Sequence, residues 1–169
     1  STTMPRLLAA AAVAALVALP AVGTADGPTP PLKREFRGVW VATVANIDWP
    51  SKRTLTVAEQ QAEIKAMVAM AASTHINAIL LQVRTSCDAL YESQLEPWSE
   101  FLTGQSGKAP DPIYDPLSMW ISECHAHGIE LHAWFNPFRA RHFEAKLPDA
   151  PSHVSNAHPE LVVSYDKYK

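Results

Sequence analysis

Ile76-Asn-Ala-Ile-Leu-Leu-Gln-Val-Arg84 decides the fold. Its centre is close to continuous apolar sequence, the pattern of a strand covered on both faces, as in a parallel sheet flanked by helices. Two further apolar and aromatic runs, Phe36 to Val44 and Ile129 to Phe135, read as strands on either side of it in the chain. Between the first two strands, Thr56-Val-Ala-Glu59 has the form of a capping box, and Val57, Ile64, Met67, Val68 and Ala71 recur at helical spacing. This predicts a helix over 57–73. Asp115-Pro116 begins a second helix, with Asp as N-cap and Pro in the first turn, and Gly128 ends it. The segment from Thr85 to Tyr114 has no clear period; connections of that length inside compact domains tend to be functional. After Asn136-Pro137 a polar loop runs towards a short helix beginning near Pro159. The order strand, loop, helix repeated along the chain predicts right-handed βα units with a parallel sheet, so the fold class is α/β. Three strands and two full helices do not complete such a fold, and the chain reads as the opening of a larger domain.

The ends of the chain frame this domain. Met4-Pro-Arg6 leads into the Ala/Leu/Val run Leu7 to Val22 and then Gly23-Thr-Ala25, the basic start, apolar middle and small-residue exit of a secretory signal. The run is short for a membrane span and contains Pro20, so residues 1–25 are expected to be cleaved rather than retained as an anchor. Residues 26–34 are Pro-rich and read as a flexible leader, and 35–169 as the domain. Export to a secreted or periplasmic location follows from that reading, with no stable membrane insertion after cleavage.

Composition excludes more than it identifies. Fourteen basic against 17 acidic residues, a formal charge of −3, offers no electrostatic case for nucleic acid or an anionic membrane. Cys87 and Cys124 fall after a strand and inside a helix, places that need not be adjacent, and two separate thiols are the simpler expectation. No Cys/His spacing resembles a structural zinc site, and His125 and His127, two apart on a helix, point to different sides. Gly104-Gln-Ser-Gly107 lacks the following Lys of a phosphate loop, and no Gly-x-Ser-x-Gly elbow is present.

Each strand ends in polar and aromatic residues: Asn46-Ile-Asp-Trp-Pro50, Gln82-Val-Arg-Thr-Ser-Cys-Asp-Ala-Leu-Tyr91, and Trp134-Phe-Asn-Pro-Phe-Arg139. If the strands are parallel, the three bursts converge on the face where α/β proteins place their ligand sites. Aromatic rings beside amides, acids and Arg suit a sugar, whose ring face stacks while its hydroxyls are hydrogen-bonded. Each residue also has a structural reading. Gln82 and Arg84, at the end of one strand face, either meet ligand or close the top through a salt bridge to Asp48 or Asp88. An Asp in a turn such as Asp48 more often caps backbone N–H groups, and Trp49 is equally a core residue or a ligand platform. Glu92 and Glu96 read as solvated loop charges. His132 is more often a fixed donor than a proton carrier, whereas Asn136 and Arg139 read as binding groups.

Phe36-Arg-Gly-Val-Trp-Val-Ala-Thr-Val-Ala-Asn-Ile-Asp-Trp-Pro-Ser51, Asn77-Ala-Ile-Leu-Leu-Gln-Val-Arg84, Asp88-Ala-Leu-Tyr91, Glu96-Pro-Trp-Ser99, Leu102-Thr-Gly104, Tyr114-Asp-Pro-Leu117 and His132-Ala-Trp-Phe-Asn-Pro-Phe-Arg139 closely resemble the bacterial glycosyl hydrolase-like 10 family. The resemblance implies that the chain is the N-terminal portion, about three βα units, of a (β/α)8 TIM-type barrel that hydrolyses glycosidic bonds in a cell-wall glycan of the peptidoglycan type. Carried over by position, it implies that Asn46, Asp48, Trp49, Gln82, Arg84, Asp88, Tyr91, Trp98, His132, Trp134, Asn136 and Arg139 line or brace the sugar cleft. Among these Asp48, Asp88 and His132 are supporting candidates for the chemistry. The pair of catalytic carboxyl groups such hydrolysis needs is expected on later strands, acting without metal or organic cofactor. Thr85 stands where the family usually has Pro, which is expected to loosen the following loop, and no lipidation Cys follows the signal. Two other readings are a non-catalytic carbohydrate-binding barrel and a metal-dependent barrel hydrolase.

Overall fold

The computed structural model describes residues 35–165, so the expected signal and leader lie outside the described residues. Three strands, β1 (Gly38–Val41), β2 (Ala78–Arg84) and β3 (Glu130–Phe135), form one parallel sheet in the order β1-β2-β3. Helices α1 (Val57–Ser73) and α3 (Pro116–Ala126) make the crossovers, and a one-turn helix α2 (Glu100–Thr103) interrupts the long loop.

The sequence signals for α1 act as expected. The Thr56 hydroxyl accepts from the Glu59 N–H at 3.3 Å, and the Glu59 carboxylate accepts from the Thr56 N–H at 2.7 Å. These bonds to Thr56 hold the Glu59 carboxyl below its ordinary range. In α3, Asp115 accepts from the Ser118 N–H at 3.1 Å with Pro116 in the first turn, and the chain turns out of the helix through Gly128 at φ +68°.

One core lies between the helices and one face of the sheet. Val41, Ile79, Leu81 and Val83 pack there with Ile64, Val68 and Ala71 of α1, Trp120 and Cys124 of α3, and Ile129. Burial pushes the Cys124 thiol up to about 11 and keeps it a neutral apolar group; both cysteines are free. Strand alternation sends Trp40, Leu80, His132 and Trp134 to the other face. There Trp40 and Trp134 meet edge to face at 4.9 Å and Phe36 meets His132 at 5.6 Å, yet Trp40 remains 56% exposed. β2 is therefore covered closely on its helical face and only partly on the other.

Element types follow the sequence reading, while several limits differ. β1 is shorter than 36–44 because Val44–Asn46 curls into a 3-10 turn. The segment 85–114 contains α2, capped by Ser99 and closed by Gly104 at φ +79°, too short for any periodicity to show. Near the expected terminal helix there are two small turns instead, α4 (Val154–Ala157) and a 3-10 turn at Pro159–Leu161.

Ile64 is fully buried against this core. Ile64→Ala is expected to cost about 3 kcal/mol in urea unfolding, from lost burial and the cavity left behind. Met70→Ala, on the exposed side of the same helix, should change stability by less than about 0.5 kcal/mol.

Candidate functional site

The three strand exits meet at one rim. Buried Gln82 holds the first exit: its side-chain oxygen accepts from the backbone N–H of Thr43 (3.0 Å) and of Val44 (2.9 Å), while the Thr43 hydroxyl donates to the Gln82 carbonyl at 2.8 Å. Just beyond, Ala45 and Asn46 both take left-handed backbone conformations, φ 55° and 56°, a costly pair for an alanine and an asparagine unless their surroundings hold them. The Asn46 amide does part of this, donating to the carbonyls of Pro50 and Phe101 at 2.8 Å each. The Asp48 carboxylate accepts from the Ala42 N–H at 2.7 Å, and the Asp48 N–H returns to the Ala42 carbonyl at 2.9 Å. The turn-capping role is the one seen.

Trp49 corrects its place among the expected sugar contacts. Its ring is 0% exposed, meets Trp120 edge to face at 5.6 Å and donates from Nε1 to the Gln60 carbonyl at 3.2 Å. A ring closed in on all sides has no face to offer a ligand. The sequence allowed both fates, and the depth of the core beneath the loop selected one.

At the second exit the partner of Arg84 is neither Asp48 nor Asp88 but Glu96. Nε of Arg84 lies 2.8 Å from both Glu96 oxygens and a terminal nitrogen pairs with the same carboxylate. The guanidinium also donates to the Asn136 carbonyl at 2.6 Å and to the Cys87 sulfur at 3.2 Å. The hydrogen bonds to Glu96 raise the Arg84 pKa and keep it charged throughout the accessible pH range. Glu96 is thus a fixed counter-ion rather than a solvated charge. Asp88 is buried and turned inward, accepting from the backbone N–H groups of Thr85 (2.9 Å) and Ser86 (2.7 Å) and from the Thr85 hydroxyl. Thr85 therefore tightens this loop rather than loosening it, because proline has no N–H to give Asp88.

The third exit is laced to the second. The Asn136 N–H donates to the Arg84 carbonyl at 3.1 Å and its side-chain amide to the Thr85 carbonyl at 3.2 Å. Beyond it, Phe138 is 96% exposed and Arg139 is exposed. Tyr91 and Trp98 are half-buried at the edge of the core, and burial raises the Tyr91 phenol. Trp98 walls a hollow of about 190 Å³ with Ser93, Gln94, Glu96, Gly107 and Ser152. His132 does not belong to this rim: it stands lower on β3, exposed, 3.1 Å from the Glu130 carboxylate. Trp134 is one face-step nearer the exit and half-buried against Trp40.

A partly buried polar junction beside the rim was missed by sequence reasoning. Glu100 pairs with Arg53 at 2.7 Å, and Arg53 also donates to the Glu144 carbonyl. Arg141 pairs with Asp149, and His153 donates from Nε2 to the Ser86 carbonyl at 2.8 Å. Burial raises the Glu100 carboxyl, against the pull of Arg53 and Arg141. Apart from Arg141 and Asp149, eight positions apart, these partners are 47 to 91 residues apart in the chain, and no local pattern marks them. Among the described residues no group of three His, Cys, Asp or Glu side chains has the arrangement of a metal site.

A family model described as glycosyl hydrolase-like 10 matches residues 35–168. The chain is 44% identical over 133 residues to the glycosyl hydrolase YngK of Bacillus subtilis strain 168, covering 78% of this chain and 26% of that protein. It is 29% identical over 163 residues to the glycosyl hydrolase DigH of Escherichia coli K12, covering 87% of this chain and 37% of that protein. The chain thus spans between about a quarter and somewhat over a third of the length of these curated relatives.

Gln82→Leu is expected to destabilise the fold by about 3 kcal/mol in denaturant unfolding, since it leaves two buried N–H groups without an acceptor. For Glu100 the sign follows from its raised pKa: the folded state holds that proton more tightly than the unfolded state does. Its contribution to stability is complete below the ordinary value of 4.5 and is lost as pH rises through the folded pKa. Unfolding free energies of wild type and Glu100→Gln, measured from pH 4 upward, should differ by a term that follows this course.

Proposed function

Because the chain belongs to the glycosyl hydrolase-like 10 family, we propose that the full protein hydrolyses glycosidic bonds in a cell-wall glycan of the peptidoglycan type. The three βα units would then form part of a (β/α)8 barrel, and the residue pattern over 1–25 supports export to a secreted or periplasmic location. The observation that carries the reading is the common rim: the Arg84 guanidinium bonds the Asn136 carbonyl and Gln82 bonds Thr43 and Val44, so all three exits open on one side of the sheet. In α/β folds with this connectivity, ligands are met there.

On this reading the residues divide by task. Tyr91, Trp98, Trp134, Asn136 and Arg139 offer ring faces, amide and cation to sugar rings and hydroxyls, with His132 a more distant donor. Asn46, Asp48, Gln82, Arg84 and Asp88 brace the loops that carry them. Hydrolysis needs one carboxyl to protonate the leaving oxygen and a second to attack the sugar or activate water. Asp48, Asp88 and Glu96 are each already bonded to backbone N–H groups or to Arg84. The catalytic pair is therefore assigned to strands other than β1, β2 and β3, and needs neither metal nor organic cofactor. The same engagement of the rim carboxylates favours the second reading, a barrel that holds glycan without cutting it.

Incubating the full-length protein with purified peptidoglycan strands, with and without stem peptides, should release new reducing ends. Retention of the glycan without products would replace hydrolysis by binding. Neither retention nor products would remove the glycan altogether.

A further inference from the structure

Arg84 ends β2 where the register between β2 and β3 shifts, between Gln82 and Arg84. Its side chain is 15% exposed and that of Glu96 is 21%, so the pair is shielded from most of the solvent. Its donors go in three directions: to Glu96 in the long loop, to the Cys87 sulfur beside it, and to the Asn136 carbonyl across the sheet. We propose that Arg84 is a positioning residue, a strut that sets the separation of the Glu96–Trp98 wall and the Asn136–Arg139 wall of the rim rather than a group that contacts glycan.

Three observations support the assignment. A guanidinium is a rigid planar fork, so bonds from one group to two segments fix the distance between them; a lysine ammonium has no such fork. Second, the lacing runs both ways, because the Asn136 N–H and side-chain amide return to the carbonyls of Arg84 and Thr85. Third, past these anchors the chain presents exposed Phe138 and Arg139, and on the other side Trp98 faces the hollow beside Glu96. Moving either anchor moves a wall. The consequence for glycan rests on the function proposed above, but the strut itself does not.

Arg84→Lys and Glu96→Gln, in the full-length protein, separate the two arms. The lysine variant loses the fork, and backbone hydrogen exchange over 136–141 should become about tenfold faster, as expected for loss of a charge-assisted bond. With soluble glycan strands its KM should rise about tenfold while kcat stays within about twofold, the pattern of lost binding geometry rather than lost chemistry. Glu96→Gln leaves the bond from Arg84 to Asn136, so exchange should quicken over 93–98 and stay at the wild-type level over 136–141. Wild-type exchange over 136–141 in Arg84→Lys, or equal loosening of both walls in Glu96→Gln, would overturn the strut. A fall in kcat at constant KM would overturn its role in spacing the walls. If the wild-type protein neither binds nor cuts glycan, the proposed function fails on its own account, and exchange still decides whether Arg84 joins the walls.

Discussion

A parallel strand that ends at a rim leaves its last backbone groups without partners in the sheet, and a buried rim has no water to supply them. Gln82 meets that demand at the first exit by lending one oxygen to two N–H groups of the neighbouring strand's loop. The left-handed pair Ala45 and Asn46 follows directly after the residues held in this way. Asp88 does the same for the second exit, and at the third Asn136 donates instead, its backbone N–H to the Arg84 carbonyl and its side-chain amide to the Thr85 carbonyl. The shape of the rim is thus set by short polar side chains that complete the hydrogen bonding of backbone.

This use of polar residues separates support from chemistry. A carboxylate whose oxygens already accept from backbone N–H groups or from an Arg is held in place, which makes it a good brace. Asp88 accepts from two backbone N–H groups, Asp48 from one, and Glu96 is held by Arg84, whereas burial raises the carboxyl of Glu100. The junction of Glu100, Arg53, Arg141, Asp149 and His153 fastens the loop after β3 to the loop after β2. It therefore belongs to the architecture of the rim even though no single residue in it stands out along the chain.

The two faces of the sheet have different roles. Helices α1 and α3 close one face with Ile64, Val68, Trp120 and Cys124, and the burial there stabilises the fold. The opposite face shows Trp40, Trp134, Phe36 and His132 in edge-to-face pairs with much of their area open.

Local signals determined the element types: the capping box at Thr56 and Glu59, the Asp115-Pro116 start, the glycine stop at Gly128 and the apolar run of β2 each act within a few residues, so each was legible in order along the chain. The convergence of three polar strand ends was legible too, because parallel connectivity leaves them nowhere else to go. Which of those residues face a ligand and which face the protein was decided only by tertiary structure. Trp49 went to the core, Arg84 found Glu96 instead of an aspartate, and Thr85 tightened its loop, since each outcome depends on what the fold brings within about 3 Å, the reach of a hydrogen bond. Sequence carries the preference of a residue for its neighbours along the chain; partners 12, 39 or 52 positions away are chosen when the chain packs.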